Sequence, residues 1–237
     1  MSSDNLEVLD ANIIILPEEP LKQNEIVNAI SLFEGKEFVT LMRKPLTVNQ
    51  GVNFDLTAGT AIGTLQIESM RSQKTISLSP VRIEVHDRSG ELDFKKGRIP
   101  ETMFALANAL HIQAIKAIGA NWEVVIELPE GTASSVIANK LLQQNTSILL
   151  EGMKLTGGGA RLYISGPSDI TYTLAIDPRA QKPLANELWM TCNANLNNPV
   201  VLSIELLKDM FQQSYRLLFK VQETLFPASS YNEDGIC

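Results

Sequence analysis

Few residues in this chain suit metal binding or covalent catalysis. It has two histidines, His86 and His111, and two cysteines, Cys192 and Cys237, among 237 residues. A disulfide framework needs more cysteines than this. A zinc site built on His and Cys would need nearly all four to converge, and no HExxH, CxxC or paired-histidine spacing occurs. No metal and no other cofactor is expected. Positive charge is scarce too: 20 Lys and Arg stand against 27 Asp and Glu, a formal net charge of −7. The closest approach to a basic run is Lys95, Lys96 and Arg98, which reads as a solvated turn. Acidity of this size opposes non-specific binding to nucleic acid or anionic lipid. Long apolar runs are also missing. Ile13–Leu16 is far too short to span a bilayer, and MSSDNLEVLD lacks the basic and apolar regions of a signal peptide. The expectation is a soluble cytoplasmic protein with no membrane contact.

Hydrophobic residues make up 44% of the chain and charged residues 20%, which is ordinary globular composition rather than that of a disordered chain. The length suits one large domain or two small ones packed together.

Side-chain periodicity outlines the elements. Val8–Leu16 reads as a strand closed by Pro17. Asn24 can cap a short helix whose apolar face is Ile26, Ala29, Ile30 and Phe33, ending at Gly35. The stretch 43–63 is rich in turn formers and fits either a short strand or a loop. From residue 64 the alternation sharpens: Leu65 and Ile67, then Ile76 and Leu78, then Val81, Ile83 and Val85. The apolar positions switch from even to odd between Leu78 and Val81, so the chain must break or bulge near Pro80. Pro100 and Glu101 open a helix, predicted to run to Ile118. Trp122, Val124, Ile126 and Leu128 mark another strand, and Thr132 caps a short helix. Further on, Leu162 and Ile164, then Ile170–Ile176, then Leu188–Leu196 alternate in the same way. A long amphipathic helix follows Asn197–Pro199 and stops at Pro227.

The pattern of a strand cluster followed by a long helix occurs twice. It predicts an α+β protein of mainly antiparallel sheets, strand meanders each followed by a long helix packed on one face, in two similar halves. The halves are 1–130 and 131–227, and 228–237 reads as a flexible tail.

Gly157–Gly159 lead into ARLYISG, which alternates like a strand. A phosphate loop needs a following helix, and in its Walker form a lysine, so these glycines read as a turn. His86-Asp87-Arg88 is the densest polar cluster. His86 is the one weak candidate for a general base, but neighbouring strand residues point to opposite faces, so Asp87 is poorly placed to orient it. DRSG reads better as a turn, and no catalytic residue is assigned.

The side of the sheets away from the apolar positions carries Arg82, Glu84, His86, Glu123, Glu127, Arg161, Tyr163, Trp189, Thr191, Asn193 and Asn195. Arginine, tyrosine and tryptophan favour interfaces. Arg82, Arg161, Tyr163, Trp189 and Asn193 are the candidate binding surface, with Trp189 its best marker. The favoured expectation is a non-catalytic binding or assembly protein, a homo-oligomer or the partner of another protein. The alternative is an enzyme of unknown class with a site near His86, Arg82 and the 49–63 loop.

Overall fold

The structure is a computed structural model that describes residues 6–32, 41–42, 45–55, 60–90, 98–128, 131–141, 158–179 and 186–225. Among the described residues ten strands make one sheet. In chain order they are β1 (Leu6–Pro17), β2 (Leu46–Asp55), β3 (Thr60–Ser69), β4 (Lys74–Ser79), β5 (Arg82–Asp87), β6 (Ala114–Glu127), β7 (Ala160–Ser165), β8 (Thr171–Pro178), β9 (Glu187–Leu196) and β10 (Val200–Val201). Their spatial order is β2-β3-β4-β5-β1-β6-β9-β8-β7, with β10 also on β6. Every pairing is antiparallel. The helices are α1 (Gln23–Leu32), α2 (Ile99–Ala109), α3 (Ala133–Val136, continued by a π turn Ile137–Leu141) and α4 (Ile204–Leu225).

The alternation of apolar residues becomes one continuous buried side. Reading across the ladder, Ile67, Ile76, Val85, Ile13, Ala120, Ala194 and Tyr172 are successive register partners, and all are buried. The helices lie on this side. The indole N–H of Trp122 on β6 donates to the Phe211 carbonyl of α4 at 3.0 Å, and the Trp122 and Phe211 rings are 4.4 Å apart. Lys208 of α4 reaches Glu101 of α2 at 3.0 Å. Leu207, Met210, Phe211 and Leu218 are buried, while Glu205, Asp209, Arg216 and Lys220 are exposed, as the amphipathic spacing requires.

Several expectations need correction. The predicted helix Pro100–Ile118 is two elements, α2 and the start of β6. The helix stops in a Schellman turn: His111 N–H donates to Asn108 O at 3.0 Å, and Ile112 N–H to Ala107 O at 2.8 Å. His111 takes the left-handed position, at φ 56°. That position usually belongs to glycine, so Gly119 was the more visible stop in the sequence. Beyond His111, β-branched Ile115 and Ile118 enter the sheet, where β1 supplies a partner ladder.

The ambiguous 43–63 stretch holds most of a ten-residue hairpin ladder, β2 on β3. Gly51 belongs there because a Cβ would sit 2.8 Å from Thr64 Oγ1. The break at Pro80 is a two-residue turn, Pro80–Val81, rather than a bulge, and it leaves Val81 exposed. The meanders do not form separate sheets. β1 and β6 pair from Leu6↔Ile126 to Pro17↔Ile115, and β6 pairs with β9 over ten positions, so both meanders belong to one sheet. Gly35 and residues 228–237 lie outside the described residues.

Candidate functional site

The second side of the sheet is polar from strand to strand. Glu68, Thr75, His86, Asn12, Asn121, Asn193, Thr173 and Tyr163 form one row of register partners. Val125 and Ala175 are its buried apolar members, at 4% exposure each, and both stand apart from the main core cluster. This is the face the sequence pattern marks out. Arg82, Arg161, Tyr163, Trp189 and Asn193 all lie on it by register.

They do not share one pocket. His86 and Tyr163 are five strand spacings apart, roughly 24 Å. The 49–55 strand is no neighbour of His86 either. Asn49 pairs with Gln66, Gln66 with Ser77 and Ser77 with Glu84, three steps across the sheet.

At the centre lies a string of charges. His86 Nδ1 is 3.0 Å from Asp10 Oδ2, and its Nε2 is 3.0 Å from Glu84 Oε2. Arg82 closes on Glu84, and Arg88 Nε lies 3.7 Å from Asp10 Oδ1. Asn12 donates to Asp10 at 3.0 Å and accepts from Asn121 at 2.7 Å. Burial is the largest single influence on His86 and favours the neutral ring. The hydrogen bonds and charges of Asp10 and Glu84 together outweigh it, so the ring is raised from 6.5 to about 9. Asp10 is held low in the same way, His86, Asn12 and Arg88 overcoming its burial. Glu84 is lowered chiefly by its hydrogen bond with His86. At neutral pH His86 is therefore an imidazolium with both N–H groups committed to carboxylates. Such a ring has no free lone pair, which a general base requires.

Asp87 points to the other side. Its Oδ1 accepts from Ser89 N–H at 2.9 Å, the turn chemistry expected of DRSG, and its Oδ2 lies 3.9 Å from the buried Lys74 ammonium. Residues 91–97, which follow the turn, lie outside the described residues. The glycine run ends at Gly159, where a Cβ would collide with the Asp177 carboxylate. The expected strand, β7, follows it.

Trp189 is half-buried beside Val125, its register partner. Its indole N–H donates to Glu123 Oε1 at 2.8 Å. Arg179 Nη1 meets Glu187 Oε2 at 2.6 Å, and Glu7 and Glu123 add to the field that favours its charge. A crevice of about 390 Å³ opens at one end of the molecule between Pro17–Lys22, Glu25 and Leu110–Ala114. Glu25 there is occupied with helix capping, its Oε2 accepting from Lys22 N–H at 2.7 Å. Among the described residues no group of three His, Cys, Asp or Glu is placed to hold a metal ion, and no helix is long and apolar enough to cross a membrane.

Asp10, Asn12 and Asn121 escaped the sequence reading as site residues. The signal available was two polar residues, 10 and 12, on one side of a strand otherwise rich in Ile and Val. No family model matches the chain, and neither does any curated protein.

Proposed function

We propose that this chain is a non-catalytic binding or assembly protein that works through protein–protein contacts on the polar face of its sheet. The observation that carries this reading is Trp189. It stands on the side away from the helices, half-buried, with its N–H already satisfied by Glu123. A tryptophan fixed in this way offers a rigid, largely apolar surface at little entropic cost to a partner. Around it the face presents Asn, Thr and paired charges, which suits a polar interface. An enzyme working at His86, Arg82 and the 49–63 segment is disfavoured, because both His86 nitrogens are engaged and the segment lies strands away.

The same proposal includes two similar halves. Its support is the order of elements: a meander precedes a helix in each half, β2 to β5 before α2 within 1–130, and β7 to β9 before α4 within 131–227. Asn12 of β1 and Asn121 of β6 are register partners. A cytoplasmic location is also proposed, supported by Cys192 being a buried free thiol. The charge balance argues against non-specific nucleic-acid binding.

Acrylamide quenching of tryptophan emission tests the face. In wild type, Trp189 supplies the quenchable component and Trp122, at 2% exposure, the protected one. Quenching should fall as a partner, or a second copy at high concentration, covers the face, and Trp189→Ala should weaken that association. Quenching unchanged in assemblies of demonstrated mass would refute the proposal.

A further inference from the structure

We infer that the outer edge of β7 pairs with β7 of a second copy of this chain, antiparallel, in the register that sets Leu162 opposite Leu162. This goes beyond the face proposed above, since it concerns the rim of the sheet.

β7 ends the strand order, and among the described residues its only ladder is to β8. Its side chains are exposed on both sides: Arg161 and Tyr163 on the polar face, Leu162 on the helix side, with Leu162 at 44% and Tyr163 at 78%. Edge strands are ordinarily guarded by charged side chains, by proline or by a bulge. In β7, ARLYIS, the one charge is Arg161, and Leu, Tyr and Ile fit a pleated surface well. The opposite rim is less inviting. β2 presents Val48 among Thr47, Asn49, Gln50 and Gly51, and a glycine within a strand weakens it.

A twofold axis perpendicular to the sheet keeps helix side with helix side, so facing residues must have the same parity. Centred on Leu162, the join sets Arg161 of each copy against Tyr163 of the other on the polar face, a cation–π pair made twice. On the helix side it brings Leu162 against Leu162 and Ala160 against Ile164, extending the apolar rows. Centred on Tyr163 instead, Arg161 would face Ser165 and lose its aromatic partner. β7 carries one positive and no negative side chain, so two copies of this acidic chain meet there without carboxylates in the ladder. A five-residue join is small, and the dimer is expected to be weak, with a Kd of about micromolar or higher.

Sedimentation of the full chain over a concentration series tests this, with circular dichroism confirming that each variant is folded. Wild type should show a monomer–dimer equilibrium. Leu162→Lys, which sets like charges opposite one another, should weaken it by about tenfold or more. Tyr163→Arg should also weaken it, whereas Tyr163→Glu, facing Arg161, should preserve it. Both Tyr163 variants sit on an exposed side chain, so they carry the test if Leu162→Lys does not fold. Trp189→Ala should leave this dimer intact. A strictly monomeric wild type, open-ended oligomers, a dimer indifferent to Leu162→Lys and Tyr163→Arg, or equal loss with Tyr163→Glu would overturn the inference. A dimer dissolved by Trp189→Ala alone would overturn it too, while supporting the face.

Discussion

The charge string at the sheet centre makes a pH-dependence prediction that can be worked through. His86 is only 17% exposed and sits between Asp10 and Glu84. Its ring is raised from 6.5 in the unfolded chain to about 9 in the fold. A folded value above the unfolded one means the fold binds the proton more tightly. The resulting stability is fully present below pH 6.5 and is lost progressively as pH rises through about 9. At about 1.4 kcal/mol per decade, it amounts to about 3 kcal/mol. Asp10 and Glu84 are lowered, so their contribution is present above the unfolded carboxylate range and is lost as pH falls into it. The region between the carboxylates and pH 6.5 is then the most stable. Cys192, raised to about 12 by burial, costs stability only once an unfolded thiol would ionise, above about pH 9. Among the described residues His86 therefore dominates the window from pH 6 to 9.

Urea unfolding at steps of pH across that window should show wild type losing most of those 3 kcal/mol. His86→Gln should be weaker than wild type at pH 6 and nearly flat with pH. An NMR titration of the ring protons, with His86→Gln identifying the resonance, should place the midpoint well above 6.5. A midpoint near 6.5, or a wild-type stability that does not change between pH 6 and 9, would refute the reasoning and reopen His86 as a base.

Two further predictions concern the fold. Trp122→Ala should destabilise by about 3–5 kcal/mol, because it removes the ring contacts with Phe211 and Tyr215 and leaves the Phe211 carbonyl without its indole donor; urea unfolding at pH 6 measures it, and a cost under about 1 kcal/mol would contradict the packing. His111→Gly should stabilise by about 0.5–1 kcal/mol, since glycine takes the left-handed position at the end of α2 without the Cβ penalty; a lower thermal midpoint would show that the imidazole does something there beyond ending the helix.

Local periodicity in the sequence determined which side of each strand is buried. Ile83 and Val85, or Met190 and Cys192, alternate with polar residues, and a strand side-chain period of two leaves no other sorting. That is why the sequence alone puts Trp189, Tyr163 and Arg161 on the polar face, and why the faces of α4 are legible from residues spaced three and four apart. The end of α2 was not legible, because a Schellman turn closed by histidine looks like continuing helix until the next strand is known. Strand partners were illegible for a deeper reason. Pairing is a contact between distant segments, and nothing local in Asp10 names His86, 76 positions away. Only the tertiary structure set β1 between β5 and β6, merged two meanders into one sheet, clamped an imidazole between two carboxylates and left β7 at the rim.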